Sequence, residues 1–421
     1  MGESDDFEGK SQPIKWNKSL LLKLPLLFAL LLVTVLISTQ LILENIVEPT
    51  LDKQADNLME QVGSSIVLEL ESRIAHTEAL TKAIAGAGEI LPQDESAHKH
   101  SLLHLVDQPG TASYVAGGGV WPEPYLFDDH VERRSFFWGR NAEGKLDYYE
   151  DYNDPEGPGY HHEEWYVPAK MLQRGEVYWS RSYFDPYSGQ AMVTCTAPMF
   201  REGRFYGVST IDLKLKGLNE LLEEKSSVLG GYVFVLDRFG AFISFPEESM
   251  FKKSVTNAAG EEHEELLNYS DLAANNAHFQ PIAKTIDLLQ ADLVNNAIQT
   301  GNFSEELVEY LSKESYQIST SDARILAATL SDTRHAEDSS PLLLKTFSIE
   351  NDLLLGEASQ VGVFHVPGTY WKIVTVAPES RGFNALSSMR LPLFTAVAAI
   401  TIVLAIGFVF LLRLFSIRLS A

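Results

Sequence analysis

The sequence has a single cysteine, few basic residues and none of the common enzyme motifs. Cys195 stands alone among 421 residues, which excludes a disulfide-stabilised scaffold and any paired-cysteine zinc or redox site. Lysine and arginine total 33 against 57 aspartate and glutamate residues, a formal net charge of −24. Because nucleic-acid binding needs a basic face that neutralises phosphates, this balance argues against that function. Hydrophobic residues make up 45% of the chain, which argues against disorder, and the length suggests two or three domains.

The missing enzyme motifs are GxSxG, the phosphate-binding Walker loop, the dinucleotide fingerprint and HExxH. Two clusters contain several potential metal ligands: His161, His162, Glu163 and Glu164 in one, and His98, His100 and His104 in the other. We interpret both as polar segments, because adjacent residues rarely ligate one ion together. Cys195 lies in the strand-like run VTCTAP and is interpreted as a small buried residue. The sequence therefore predicts no catalytic residue, no metal site, no cofactor and no enzyme activity.

Two long uncharged hydrophobic runs are present, one near each end. They cover residues 24–43 and 391–412, and each is long enough to cross a hydrocarbon core of roughly 30 Å. The first run exceeds the roughly 7–15 residues of a signal-peptide core, so we interpret it as an uncleaved anchor. Lysines precede the first run, acidic residues follow it, and arginines follow the second. This asymmetry predicts two transmembrane helices with both termini in the cytoplasm and the long middle segment outside.

The middle segment changes its pattern along the chain. Residues 52–90 lack proline and repeat apolar residues at helical spacing, which predicts a long helix that packs on the domain or forms a dimer stalk. Residues 117–222 hold short aromatic and β-branched runs separated by glycine, proline and aspartate, with a short helix predicted at 163–175. Two further hairpins are predicted at residues 230–246 and 360–380. Strands with helices gathered to one side indicate an α+β domain on antiparallel sheets.

An acidic stretch separates the last two hairpins. Residues 251–340 carry 15 acidic and 6 basic residues, and parts of the stretch have helical apolar spacing. We interpret it as an acidic helical insertion. It is either a solvated insertion or a module that docks a partner.

These segments resemble a known family of sensor domains. The series VWPEPY, WYVPAK, YWSRSYFDPYSGQAMVT and GRFYGVSTIDL is similar to the membrane-distal (first) module of a double-Cache domain. GYVFVLDRFGAFISFP and GTYWKIVTVAPES resemble the membrane-proximal (second) module. The resemblance implies an α+β fold, in which a long N-terminal helix precedes two PAS-like antiparallel-sheet Cache modules and two transmembrane helices flank the whole. The expected boundaries are 1–23 for the cytoplasmic N-terminus, 24–46 for the first transmembrane helix, 47–90 for the stalk helix, 91–225 for the first module, 226–385 for the second module with its insertion at 250–340, 391–412 for the second transmembrane helix and 413–421 for the cytoplasmic tail.

The resemblance also implies a function. Double-Cache domains sense small extracellular molecules on bacterial chemoreceptors, histidine kinases, diguanylate cyclases and phosphatases, and the ligand typically binds the first module. We therefore expect a homodimeric receptor in the bacterial inner membrane, in contact with lipid. Only nine residues follow the second span, so the output is expected on a partner (kinase, cyclase or phosphatase) or in a longer chain. The alternative, motivated by the acidic insertion, is an assembly or regulatory membrane subunit whose ectodomain docks a protein.

One subgroup of the family binds amino acids through an arginine two residues before a Trp-Tyr pair, a later tyrosine and an aspartate. By resemblance, Trp165 and Tyr166 match the pair, Tyr183 matches the later tyrosine, and Asp212 matches the aspartate. Glu163 occupies the arginine position. The further ligand-binding candidates are Trp121, Tyr125 and Asp185. Asp185 also fits a tight turn, because Asp-Pro followed by Ser-Gly favours one.

Glu163 changes the expected ligand. A ligand carboxylate needs a guanidinium or equivalent donors, so an α-amino acid bound in the subgroup's manner is disfavoured. Aromatic faces with acidic groups suit a cation through cation–π contacts and charge-assisted hydrogen bonds. We therefore predict a cationic amine or a quaternary ammonium compound. The alternative is that Glu163 faces solvent, the aromatic residues form core, and the ligand is of another type.

Overall fold

The computed structural model describes residues 16–141, 143–157, 159–185, 190–256, 262–330 and 342–418. They form two units, one of residues Asn57–Glu379 and one of the segments on either side. The α-helices are α1 (Trp16–Ile42), α2 (Glu48–Ile90), α3 (Glu95–Val106), α4 (Lys216–Ser226), α5 (Glu248–Phe251), α6 (Tyr269–Asn275), α7 (Gln280–Gln299), α8 (Glu305–Glu314), α9 (Thr320–Leu330) and α10 (Ser380–Arg418). The strands are β1 (Val115–Pro122), β2 (Phe136–Arg140), β3 (Leu146–Tyr149), β4 (Tyr178–Trp179), β5 (Tyr183–Phe184), β6 (Ala191–Arg201), β7 (Arg204–Lys214), β8 (Tyr232–Leu236), β9 (Phe242–Ser244), β10 (Lys252–Thr256), β11 (Glu262–Leu266), β12 (Leu343–Ile349), β13 (Ser359–Val366) and β14 (Trp371–Pro378).

The terminal unit holds the two hydrophobic helices. Helical segments that could cross a membrane, by length and composition, lie at Leu26–Ile90 and Leu391–Phe410. Helix α1 lies beside α10, with the ring centroids of Phe28 and Phe408 5.8 Å apart. Large aliphatic side chains on both helices are exposed, as expected for a surface that contacts lipid rather than water. The predicted cytoplasmic ends include residues 1–15 and 419–421, which lie outside the described residues.

The first module is an antiparallel sheet in the order β3-β2-β1-β7-β6-β4, with β5 also paired to β6. Successive side chains of a strand point to opposite faces of a sheet. Phe136 of β2 and Ile211 of β7 belong to the core on which α2 and α3 pack. Their neighbours Phe137 and Asp212 line a cavity instead. On each of these two strands, one residue therefore faces the core and its neighbour in sequence faces the cavity.

The second module is an antiparallel sheet in the order β12-β13-β14-β8-β9. The predicted turn at residues 237–240 is present, and the Asp237 N–H donates to the Ala241 carbonyl at 2.9 Å. One sheet face packs against α2 so closely that a Cβ on Gly63 would lie 2.2 Å from the Phe364 ring. The other face packs against α6 and α7. The predicted α+β class, with a long N-terminal helix and two antiparallel modules, is confirmed.

Two predicted elements differ from the structure. The helix predicted at residues 163–175 is only a 3-10 turn at Val167–Met171, preceded by another at Tyr160–His162. Trp165 and Tyr166 are buried between these turns, so side-chain packing overrides helical spacing there. The insertion does not begin as a helix, because β10 and β11 form a hairpin ahead of α6. We keep the name helical insertion for residues 269–330, which hold α6 to α9.

Helix α2 contacts both modules at one buried point. Trp179 of β4 and Trp371 of β14 are fully or almost fully buried, and their ring centroids are 5.3 Å apart in an edge-to-face arrangement. The Trp179 Nε1–H also donates to Glu78 Oε1 of α2 at 3.1 Å. Apolar residues of α2 and of both sheets share this core. The first module, the second module and α2 are therefore coupled by direct packing.

Candidate functional site

The first module contains a cavity of about 390 Å³, a volume suited to a small molecule. Its wall is largely aromatic, and these rings are Trp121, Phe137, Tyr149, Tyr152, Trp165, Tyr183 and Phe184. They come from β1, β2, β3, β5 and the connection between β3 and β4. Trp121 packs against Trp165 with ring centroids 4.9 Å apart, which fixes two of the aromatic faces. The cavity thus offers rigid π faces on several sides.

A hydrogen-bonded chain leads to a buried carboxylate on the cavity wall. The Tyr183 hydroxyl lies 2.7 Å from Thr194 Oγ1, and Thr194 Oγ1 donates to Asp212 Oδ1 at 2.8 Å. Thr194 and Asp212 are directly paired across β6 and β7. Burial raises the pKa of Asp212 to about 7, against the opposing effect of the Thr194 hydrogen bond. Asp185 adds a further rise through like-charge repulsion.

Two more carboxylates line the cavity from the segment before Trp165. The Tyr316 hydroxyl donates to Glu163 Oε1, and burial raises the pKa of Glu163. The Tyr178 hydroxyl donates to Glu164 Oε1, and burial raises the pKa of Glu164 to about 7. Both carboxyls are held by donors, yet both are costly to ionise inside the protein. A cation in the cavity would lower that cost.

The two guanidinium groups on the wall already have acidic partners. Arg140 donates to the Val115 carbonyl, the Gly144 carbonyl and, at 2.9 Å, Asp107 Oδ1. Arg181 donates to Asp322 Oδ2 at 3.0 Å. Neither Asp107 nor Asp322 lines the cavity.

Four carboxylates of the wall, those of Glu163, Glu164, Asp185 and Asp212, therefore share the cavity with two guanidinium groups that each pair with an acid outside it. Within the described residues, Arg140 and Arg181 are the only basic side chains on this wall.

The structure brings together six of the eight residues that the sequence singled out. The cavity is lined by Trp121, Glu163, Trp165, Tyr183, Asp185 and Asp212. Tyr166 lies outside the lining, where its hydroxyl donates to Glu123 Oε2 at 2.8 Å and its ring is fully buried. Tyr125 is 55% exposed and also lies outside the lining. The turn predicted after Asp185 continues into residues 186–189, which are outside the described residues.

Several wall residues were missed by sequence reasoning. Phe137 and Thr194 could have been found from strand alternation, because each shares a sheet face with Asp212 or Trp121. Tyr152 and Arg181 lie outside any regular pattern. Gln317 comes from the helical insertion, more than 100 residues after the other wall residues, and no local signal points to it.

The residues considered as metal ligands or nucleophile have other surroundings. Among the described residues, no group of three or more His, Cys, Asp or Glu side chains is arranged to hold a metal ion. His98 is buried and stacks on Phe136, with ring centroids 4.8 Å apart. The His162 Nδ1 lies 2.8 Å from the Glu314 carbonyl. Cys195 is buried on the core face of β6, and burial raises the pKa of its thiol.

Comparison with known proteins relates the first module to a family of sensor domains. Residues 105–220, which include most of the cavity wall, match the family model described as "Methyl-accepting chemotaxis protein-like, first PDC sensor domain". A second antiparallel module follows in the chain, as the double-Cache resemblance predicts. The first module is therefore similar to the first sensor module of a double-Cache (PDC) domain. Apolar helices precede the first module and follow the second along the chain.

Similarity to individual proteins covers different shares of the chain. The chemotaxis protein McpC of Bacillus subtilis (strain 168) is 26% identical over 102 residues, which span 24% of this chain and 14% of that protein. The ligand-binding domain of the Pseudomonas fluorescens chemoreceptor CtaA, solved with L-isoleucine, is 15% identical, and the alignment covers 80% of this chain and 98% of that domain with a TM-score of 0.43. The ligand-binding domain of Mlp24, solved with asparagine, is 16% identical, with coverage of 80% and 99% and a TM-score of 0.40.

Proposed function

We propose that this chain is a bacterial inner-membrane receptor, not an enzyme, and that the first module of its double-Cache domain binds a small cationic amine. Both termini lie in the cytoplasm, and the receptor acts as a homodimer that signals to a cytoplasmic or membrane output partner. The observation that carries the ligand class is the charge of the cavity wall. Four carboxylates meet an aromatic enclosure in which both guanidinium groups are already ion-paired.

A zwitterionic amino acid fits this wall less well than an amine. Its ammonium group could sit beside Asp212 and the aromatic faces. Its carboxylate would need a free guanidinium, but Arg181 is surrounded by the carboxylates of Glu164, Asp322 and Asp237, which raise its pKa although burial acts in the opposite direction. Glu163, at the position where the subgroup has its arginine, would repel the ligand carboxylate.

The packing of α2 gives a route from the cavity to the second module. Strand β7 carries Asp212, and Ser209 in the same strand donates through Oγ to the Thr81 carbonyl of α2 at 2.8 Å. Trp179, near the cavity residue Arg181, contacts both α2 and Trp371 of the second module. A ligand that draws the aromatic wall and Asp212 together would shift α2 only if it binds one arrangement better than the other.

The ligand class can be tested with pairs of compounds that differ by one carboxylate. We expect phenethylamine, tyramine or putrescine to raise the melting temperature of the full chain in lipid nanodiscs, because a ligand that binds only the folded state stabilises it. Phenylalanine, tyrosine or ornithine, the matched amino acids, should bind at least about 100-fold more weakly, since like charges at a desolvated site cost several kcal/mol. Isothermal titration calorimetry on the same nanodiscs measures the difference.

Two results would contradict the cationic-ligand proposal. Tighter binding of the amino acid than of its amine would show that the wall holds a carboxylate. If no compound of either set stabilises the protein, the cationic-ligand proposal is contradicted. The result would then favour the alternative, in which the ectodomain docks a protein partner. An empty-nanodisc titration serves as the control for amine binding to lipid.

The affinity for a cation should depend on pH with a defined sign. The pKa values of Asp212 and Glu164 are raised by burial to about 7, so both carboxyls hold protons in the free protein at acidic pH. A bound cation favours the ionised forms and releases those protons. Phenyltrimethylammonium, whose charge does not titrate, should therefore bind about tenfold or more tightly at pH 7.5 than at pH 5.5, with little change above pH 8. A flat profile, or tighter binding at pH 5.5, would contradict this assignment.

A further inference from the structure

The helical insertion belongs to the second module by sequence but closes the cavity of the first. In the sequence, the insertion lies between β11 and β12 of the second module. Its helices share a buried apolar cluster with two residues of the first module, Val167 and Tyr178, and with Phe239 of the β8–β9 turn. The members from the insertion are Val308, Leu311, Ile318, Ala323, Leu326 and Ala327. This cluster fixes the loop between α8 and α9 against the cavity.

Polar contacts from the end of α8 and the loop that follows it reach three consecutive residues, of which Glu163 and Glu164 line the cavity. The Glu314 carbonyl meets His162 Nδ1 at 2.8 Å, and the Tyr316 hydroxyl donates to Glu163. The Glu164 N–H donates to Gln317 Oε1 at 3.1 Å. The sequence separation across each of these contacts is about 150 residues, so no local chain constraint creates them.

A fourth contact joins the insertion to Arg181, a further wall residue whose backbone N–H donates to Glu164 Oε2 at 3.2 Å. Asp322, in the first turn of α9, pairs with Arg181 at 3.0 Å. Three wall residues, Glu163, Glu164 and Arg181, are therefore all in contact with one segment of the insertion, residues 314–322. Helix α7, which precedes this segment in the insertion, packs on the second module.

Gln317 is positioned to contact a ligand directly. It lies on the cavity wall, and its Oε1 is occupied by the Glu164 N–H. Its amide nitrogen is a donor, and hydrogen bonds from Tyr316 and Gln317 favour the ionised form of Glu163, whose pKa is raised mainly by burial. Both residues therefore partly offset the cost of ionising Glu163 at the cavity wall.

We propose that Tyr316 and Gln317 of the helical insertion determine the ligand specificity of the first module. Gln317 contacts the ligand as a wall residue, and Tyr316 is a positioning residue that holds the Glu163 carboxylate. The chemical class is the one proposed above, an organic cation with an N–H donor or a methylated ammonium group, so this inference rests on the proposed function. It adds that a segment of the second module helps to select the ligand that binds in the first module.

The test compares four variants of the full chain in lipid nanodiscs. Gln317→Ala is matched by Gln299→Ala, an exposed glutamine at the end of α7, and Tyr316→Phe is matched by Tyr310→Phe on α8, neither control residue lining the cavity. The probes are phenethylamine, putrescine and phenyltrimethylammonium, with phenylalanine and ornithine as the carboxylate-bearing counterparts. We expect Gln317→Ala to change the dissociation constant of at least one binding probe about tenfold or more, and to change the rank order of the probes. The two controls should leave both unchanged.

Tyr316→Phe is tested through the pH dependence of ligand binding, which a purely structural role of Tyr316 would leave unchanged. Removing a donor that favours the ionised Glu163 raises the pKa of that carboxyl further, so the pH at which phenyltrimethylammonium binding is half-maximal should rise. Tyr310→Phe should leave the pH profile in place. An unchanged profile in Tyr316→Phe would overturn its assignment as a positioning residue.

Hydrogen exchange supplies a test without any ligand. The Glu164 amide should exchange faster in Gln317→Ala than in wild type or Gln299→Ala, because its acceptor has been removed. If an amine binds wild type and Gln317→Ala equally, the inference fails and the proposed function stands. If only an amino acid binds, and Gln317→Ala weakens it, the cation proposal fails and the specificity role stands. If no probe binds, the proposed function fails, and unchanged exchange at Glu164 would overturn the inference as well.

Discussion

Asp212→Asn should abolish most of the affinity for the amine. The substitution keeps the shape of the side chain and the acceptor for Thr194, but it removes the negative charge at the buried end of the Tyr183–Thr194–Asp212 chain. Removing one partner of a buried charge-assisted pair costs about 2–5 kcal/mol, which corresponds to a loss of affinity on the order of 100-fold. Titration calorimetry of phenethylamine against the full chain measures it.

The same variant carries its own folding control. The pKa of Asp212 is raised above its unfolded value to about 7, so its ionisation destabilises the folded state as the pH rises from about 4 to about 7. Asp212→Asn removes that cost, and its melting temperature should match or exceed wild type at pH 8, with a smaller difference at pH 5. Weak binding in a less stable variant would instead indicate that Asp212 acts through folding, and unchanged binding would remove it from the site.

Trp179→Ala should cause the largest loss of stability of any single change in the shared core. Trp179 is fully buried, contacts Trp371 edge to face and donates to Glu78 of α2. Truncating a buried tryptophan costs about 3–5 kcal/mol, because apolar burial is lost and a cavity remains. The buried Trp371 ring would lose its partner, and the link between the two modules would weaken. Chemical denaturation of the full chain, followed by circular dichroism, measures the free energy of unfolding.

Tyr125→Ala is the matched aromatic truncation for this experiment. Tyr125 is 55% exposed and lies outside the cavity lining, so its loss should change the free energy of unfolding by less than about 0.5 kcal/mol. Phenethylamine binding should also stay the same. A destabilisation in Trp179→Ala no larger than in Tyr125→Ala would show that the shared core does not hold α2 and the two modules together.

Local patterns were sufficient for much of the architecture. The uncharged runs near the two ends predicted the two hydrophobic helices. This works because crossing a hydrocarbon core requires about 20 apolar residues, whatever the surrounding fold. Proline-free apolar spacing gave α2, which ends at Ile90 ahead of Pro92. The turns at residues 237–240 and 367–368 follow from glycine and proline chemistry, which acts over a few residues.

The failures have a common physical cause. Residues 163–175 have helical spacing, but the burial of Trp165 and Tyr166 leaves only a 3-10 turn at Val167–Met171 in place of the α-helix. Tyr166, one of the candidate pair, turns into the aromatic core, while its neighbour Trp165 reaches the cavity. Neighbouring residues can face either the core or the cavity. Nothing in the local sequence specifies which of the two side chains faces the cavity.

The sequence by itself determined the acidic balance, the two apolar helices, the α+β class and six of the charged and aromatic residues that line the cavity. Those properties depend on residue type and on spacing within one element. Only the tertiary structure decided that Arg140 and Arg181 are neutralised by acids outside the cavity, and that the helical insertion supplies Gln317 to its wall. Such contacts join residues that are far apart in the chain, and their energies depend on burial and distance, which exist only once the chain has folded.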